Sequence, residues 1–157
     1  MSPRPDVTVA AIAERDGRFL VVQERAARRI VLNQPAGHLE DGESLVEAVV
    51  RETLEETGCA FVPESVTGLY LWRGPRARTV LRVAFAGRVG ERDRSLALDR
   101  AILRTAWLGR EELAARAAEL RSPLVLRCID DYLLGSRYPL EMLNHVPPQG
   151  LAARAVP

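Results

Sequence analysis

The chain has 157 residues, 47% apolar and 27% charged, with 22 basic against 21 acidic side chains and a net charge of +1, which suits one soluble domain and gives no argument for a nucleic-acid polymer or a membrane as partner. All 22 basic residues are arginine, which excludes a Schiff-base lysine and a lysine-dependent P-loop; His38, His145, Cys59 and Cys128 fit neither a zinc spacing nor a disulfide framework. No apolar run approaches the ~20 residues of a membrane span and no cleavable signal opens the sequence, so the expectation is a cytoplasmic protein of one domain, residues 1–157, with its core over about 6–143 and an irregular tail over 144–157.

In chain order, residues 7–13 and 18–23 read as strands around Asp16-Gly17, a pair that supplies the positive φ angles of a tight hairpin. A short strand at 30–32 is expected to end in a turn at Pro35-Ala36-Gly37. Ser44-Leu45-Val46-Glu47 is a capping box and Gly58 a left-handed stop, so a helix should span about 45–57. Residues 67–72 and 79–86 read as strands joined by Arg73-Gly74-Pro75-Arg76, the second ended by Gly87, with 88–100 a charged surface loop. A last strand is expected at 104–108, a helix over 111–120, and another from Ser122-Pro123 to about Leu134. Strands before and between helices predict a mixed sheet covered by helices.

The informative segment is Gly37 to Gly58. On a helical wheel with Glu52 at zero, Glu56 lies near +40° and Glu55 near −60°, so three carboxylates share an arc of about 100°. Val46, Val49, Val50, Thr53 and Leu54 gather from roughly +60° to +200°, the side expected to pack on the sheet. Two carboxylates about 5 Å apart in a medium of effective dielectric about 20 repel by ~3 kcal/mol, a cost that a divalent cation removes. Oxygen-only ligands favour Mg²⁺ or Mn²⁺ over zinc, and Mg²⁺ shares its shell with water and phosphate oxygens, which points to a small phosphorylated substrate. Solvated ion pairs such as Glu47–Arg51 and Arg51–Glu55 are ordinary on helices. But Gly37, Glu43, Arg51, Glu52, Glu55, Glu56 and Gly58 are seven fixed residues at fixed spacings, matched by chance in roughly one window in 10⁸ at about 7% per position.

That spacing resembles the Nudix box: Gly, five residues, Glu, seven residues, Arg-Glu, two residues, Glu-Glu, one residue, Gly. Thr53 and Cys59 stand where the family carries aliphatic residues. The resemblance implies an α/β Nudix fold, a mixed sheet in an α/β/α sandwich, and an enzyme that hydrolyses phosphoanhydrides with Mg²⁺ (Mn²⁺ as substitute). It implies that Glu52, Glu55 and Glu56 hold the metal with the Gly37 carbonyl, and that Arg51 orients the glutamates while Glu43 steadies the loop before the helix. The general base is Glu52 or an acid of a distant loop. Where many relatives carry Asp-x-Glu-Ile, this chain has Asp99-Arg100-Ala101-Ile102, so either the box suffices or Glu91, Asp93 or Asp99 substitutes.

Further likeness, at Val7-Thr8-Val9-Ala10, Asn33-Gln34-Pro35-Ala36-Gly37-His38, Leu120-Arg121-Ser122-Pro123-Leu124-Val125 and Arg137-Tyr138-Pro139-Leu140-Glu141-Met142, is to a bacterial phosphatase group within the family. That group acts on the pyrophosphate of the thiamine precursor hydroxymethylpyrimidine and on nucleoside di- and triphosphates, releasing phosphate. Another specificity such as ADP-ribose, or a ligand sensor without catalysis, are the alternatives, and the protein is expected as a monomer or homodimer. Asn33 and Gln34 are candidates to read a base edge, Trp72 (with Tyr70 and Tyr138) to stack on the ring, and Arg82, Arg25 or Arg28 to bind phosphate. His38 is a structural or catalytic histidine, and Cys59 and Cys128 are core residues.

Overall fold

Asp16 and Gly17 both take positive φ, 52° and 72°, and close a hairpin between β1 (Asp6–Arg15) and β2 (Arg18–Ala26). The computed structural model describes residues 4–75 and 78–147. It adds β3 (Arg29–Asn33), β4 (Ala36–His38), α1 (Leu45–Thr57), β5 (Cys59–Arg73), β6 (Thr79–Arg92), β7 (Ile102–Gly109), α2 (Arg110–Ala115) and α3 (Leu124–Leu133). Of the residues expected to form turns and tail, Arg76 and 148–157 lie outside the described residues.

The sheet runs β3-β2-β1-β6-β5, with β4 on β1 and β7 on β2. Only β1 and β6 are parallel; the other pairs are antiparallel, as a mixed sheet requires. The β1–β2 ladder stops after Glu14↔Phe19 and Arg15↔Arg18. Away from that turn β1 pairs with β4, while β2 pairs with β3 and β7, so the sheet forks.

On one face α1 brings Ala48 and Val49 against Val9, Leu20, Phe61 and Phe85. On the other, α2 and α3 bring Leu113, Val125, Cys128 and Ile129 against Ile12, Phe19, Val21 and Ala84. The result is an α/β/α sandwich. Among the described residues no helix is long and apolar enough to cross a membrane.

Helix α1 has its expected bounds. Ser44 Oγ accepts from the Glu47 amide at 3.2 Å, Glu47 Oε2 accepts from the Ser44 amide at 2.7 Å, and Gly58 closes the helix at φ 70°. Such a cap contributes ~1 kcal/mol. Its buried arc differs from the expectation. Ala48, Val49, Thr53, Glu56 and Thr57 are buried and Leu54 is exposed, a rotation of about 80° toward the glutamates. The cause is β4: the segment expected to be a turn is a strand laid along the helix, and it covers that stripe.

Two other elements are corrected. Gly87 does not end β6, and residues 88–92 are strand rather than loop. A Cβ on Gly87 would stand 2.2 Å from the Val62 carbonyl oxygen, so this glycine permits a close strand crossing inside the ladder. The helix expected over 111–120 stops at Ala115 and continues as a 3₁₀ turn, Ala117–Glu119. At the start of α3, Ser122 Oγ accepts from the Leu124 amide at 3.3 Å.

Candidate active site

Arg51 organises the acidic end. Its Nε and Nη2 fork onto the two Glu43 oxygens at 2.9 and 2.6 Å, and Nη2 also donates to the His38 carbonyl at 3.0 Å. Its Nη1 donates to Glu52 at 2.8 Å and to Glu55 at 3.2 Å. The guanidinium holds the Glu43 carboxyl below the usual range, and Glu43 Oε1 accepts from the Glu40 amide at 2.7 Å, which pins the loop before the helix. Arg51 thus reaches beyond its own helix to the loop and to β4.

The three box glutamates have three different surroundings. Glu55 is half exposed and lies off the cleft wall described below. Glu52 is largely buried, its pKa raised by burial against the pull of Arg51. A Cβ on Gly37 would stand 2.0 Å from the Glu52 carboxyl carbon, so only glycine leaves room for that carboxylate. Glu56 is buried, accepts from the Ala36 amide at 2.9 Å, and has its pKa pushed up to about 9 by burial, with Glu24, Glu52 and Asp99 raising it further. The expected arc of three acids presented together is therefore not formed. Among the described residues no three His, Cys, Asp or Glu side chains are gathered closely enough to hold an ion as they stand. The chemistry of the donor set nevertheless fits a hard divalent cation. Glu52 lies against Gly37 and Glu56 against the Ala36 amide beside it, and burial first, with neighbouring carboxylates second, raises the proton affinity of Glu56.

Glu52, Glu56 and Gly37 line a cleft of about 920 Å³ that opens in the fork of the sheet. Asp99 also lines it, its Oδ1 accepting from the Ala101 amide at 2.8 Å. Glu91 is an exposed partner of Arg15, and Asp93 accepts from Ser95; neither lines the cleft. Glu24 does, and sequence reasoning missed it. Alternation along β2 puts it on the face of Leu20 and Val22, where an acid in an inward position was the available signal.

Of the expected substrate readers, Asn33, Trp72 and Arg82 line the cleft. Gln34 does not, which corrects its assignment as a base reader. It is 1% exposed, and its amide is spent on protein, Nε2 donating to the Val125 carbonyl at 2.7 Å and Oε1 accepting from Arg82 Nη1 at 3.1 Å. Arg25 and Arg28 are exposed and off the cleft, whereas Arg29, Arg78 and Arg121 line it. Arg78 donates to His38 Nε2 at 3.0 Å and pairs with Asp6, which gives His38 a structural partner. Tyr70 donates to Asp131 at 3.0 Å within the core, and Tyr138 bridges to Val66; neither reaches the cleft. Cys59 and Cys128 are buried free thiols, and burial pushes Cys128 up to about 11.

The profile of the NUDIX domain matches residues 2–128. Phosphatase NudJ of Escherichia coli (strain K12) is 41% identical over 141 residues, covering 90% of this chain and 92% of that protein. A solved NUDIX hydrolase from Nitrosomonas europaea is 48% identical with a TM-score of 0.88, over 91% of this chain and 98% of that one. An ADP-ribose pyrophosphatase from Streptococcus suis, at 16% identity and a TM-score of 0.64 over 86% of this chain and 96% of that one, shares the fold. The chain belongs to the Nudix hydrolase family.

Proposed function

We propose that this hydrolase is a Mg²⁺-dependent phosphatase that cleaves the pyrophosphate of hydroxymethylpyrimidine pyrophosphate, and of nucleoside di- and triphosphates, with release of orthophosphate. The observation that carries the reading is one cleft lined by Glu52 and Glu56 together with Asn33, Trp72 and Arg82, in a chain 41% identical to a phosphatase over nearly its full length. The acids suit the metal and phosphate end, and the aromatic and amide side chains suit a ring.

Glu52, Glu55, Glu56 and the Gly37 carbonyl would hold the cation, which when bound polarises phosphate oxygens and acidifies water. Arg51 aims Glu52 and opposes the rise in proton affinity that burial gives it, the role of a positioning residue. Glu52 takes the proton of the attacking water, because burial raises its affinity for a proton while Gly37 leaves its carboxylate space. Water attacks the terminal phosphorus, the bridging P–O bond breaks, and orthophosphate and the shortened phosphate ester leave. Gln34 holds Arg82 in the cleft wall and does not itself touch substrate.

A phosphate-release screen with Mg²⁺ over hydroxymethylpyrimidine pyrophosphate, nucleoside tri- and diphosphates and ADP-ribose tests the reading. Orthophosphate from the first two classes and none from ADP-ribose is expected. Turnover confined to ADP-ribose overturns it.

A further inference from the structure

A second cavity, of about 660 Å³, adjoins the cleft. Arg29, Trp72, Pro75, Arg121 and Ser122 line both, so the two spaces meet at these side chains. Leu120, Pro123 and Leu126 add an apolar lining to the side pocket. Glu24, Glu52, Glu56 and Asp99 line the cleft alone. A group seated in the side pocket therefore lies outside the set of acids that suits the metal.

The side pocket carries unbalanced positive charge. The acid among its described lining residues, Asp130, is already forked by Arg110, which donates from Nε at 2.9 Å and from Nη2 at 3.2 Å. Arg127 gives its Nε to Asp131 at 2.9 Å. Arg29 and Arg121 are placed differently. Among the described residues Arg29 has no carboxylate partner, and its Nη2 donates to the Ala118 carbonyl at 2.7 Å. Arg121 Nε comes only within 3.8 Å of Glu24, too far for a hydrogen bond. Both arginines are tied to one short turn. Arg29 holds it through Ala118, and the Arg121 amide donates to the Leu32 carbonyl at 2.8 Å, next to the Leu32–Leu120 bridge. Arg29 opens β3 and Asn33 closes it, about 13 Å further on at ~3.3 Å per residue, so Arg29 stands at the end of the strand away from the chain that leads into the box.

We infer that Arg29 and Arg121 form an anion subsite where the cleft meets the side pocket, and that it takes a second phosphate which a nucleotide carries away from its anhydride, as a 3′-phosphate on the ribose is carried. This assignment rests on the hydrolase reading above only for which phosphates face the acids. Guanidinium forks match phosphate oxygens in shape and charge, and these two have donors that no carboxylate takes up at close range. Because both line the cleft as well as the side pocket, one molecule can place its anhydride at the acids and its second phosphate at the junction. Trp72, which borders both spaces, offers the carbon skeleton between them an apolar surface.

The test uses matched pairs with the full chain. AMP and adenosine 3′,5′-bisphosphate are titrated in EDTA by ligand-detected NMR, and ADP and its 3′-phosphorylated form are compared as substrates with Mg²⁺. The 3′-phosphorylated member is expected to bind, and to be turned over in kcat/KM, about tenfold or more better than its partner, chiefly through KM. Arg29→Gln and Arg121→Gln are each expected to bring both ratios below about threefold. Arg104→Gln, whose exposed side chain donates to Gln23 and lines neither space, should keep them. Equal affinity for the two monitored ligands, or unchanged ratios in both the Arg29 and Arg121 variants, overturns the inference. Orthophosphate that displaces the bisphosphate as well as AMP does would assign the subsite to a free anion and overturn it too. A preference for the bisphosphate in EDTA with no phosphate released from either diphosphate supports the subsite and overturns the hydrolytic reading alone.

Discussion

The acidic helix and the strands that line the cleft with it are built on opposite plans. At the acidic end the Arg51 guanidinium ties Glu43, Glu52, Glu55 and the His38 carbonyl into one frame. On the strands that line the cleft, Thr8, Asn33 and Arg82 each carry a buried polar atom without a hydrogen-bond partner. A frame that satisfies itself positions groups for a reaction before substrate arrives, which lowers the reorganisation that the reaction needs. Buried polar groups without partners instead carry a desolvation cost in the fold.

The contrast can be broken or sharpened by substitution. The largest effect is expected from Glu52→Gln, which keeps the shape and removes the charge. Phosphate release should fall about 10³-fold while the melting temperature changes little, and retention of a tenth of wild-type kcat would remove Glu52 from the chemistry. Gly37→Ala comes next, since its Cβ would stand 2.0 Å from the Glu52 carboxyl carbon. A loss of about 10²-fold in kcat is expected. Gly90→Ala, whose Cβ meets nothing nearer than 4.0 Å, serves as the neutral control.

Third is a pH effect on stability. Burial holds Glu56 protonated up to about pH 9 in the fold, while the unfolded chain loses that proton near the ordinary glutamate value of 4.5. Between those limits the unfolded state binds fewer protons than the folded one, so this group's contribution makes stability fall as pH rises. In EDTA, Glu56→Gln should melt above wild type at pH 8 and close to it at pH 5; a gap that does not widen with pH would contradict the burial assignment. The smallest effect is expected at Gly74→Ala. Displacing the Trp72 ring should raise KM about three- to tenfold and leave kcat nearly unchanged, read with the preferred substrate.

The same contrast explains what could be read from the chain before its coordinates. Ser44, Glu47 and Gly58 act within one helix, so α1 and its bounds were legible, and the box lies within 22 residues of chain from Gly37 to Gly58. The direction in which the helix buries itself was not, because β4 covers it and β4 is held by pairing with β1, far away in sequence. The role of Gln34 was likewise hidden: its two partners, Arg82 and Val125, stand 48 and 91 residues away. Glu24 carried only the faint signal of an acid in an inward position, and what Thr8 faces was not legible, since an inward polar residue on a strand acquires meaning only from what the neighbouring strands bring beside it.

The fork that opens where β1 exchanges β2 for β4 has a practical corollary. Asn33 belongs to a short stretch, residues 29–38, that forms one bank of the opening, whereas the acids ride on the helix that follows. Exchanging that stretch between related scaffolds would reshape one bank of the opening and leave the acidic helix in its own setting, so the two can diverge separately within one architecture.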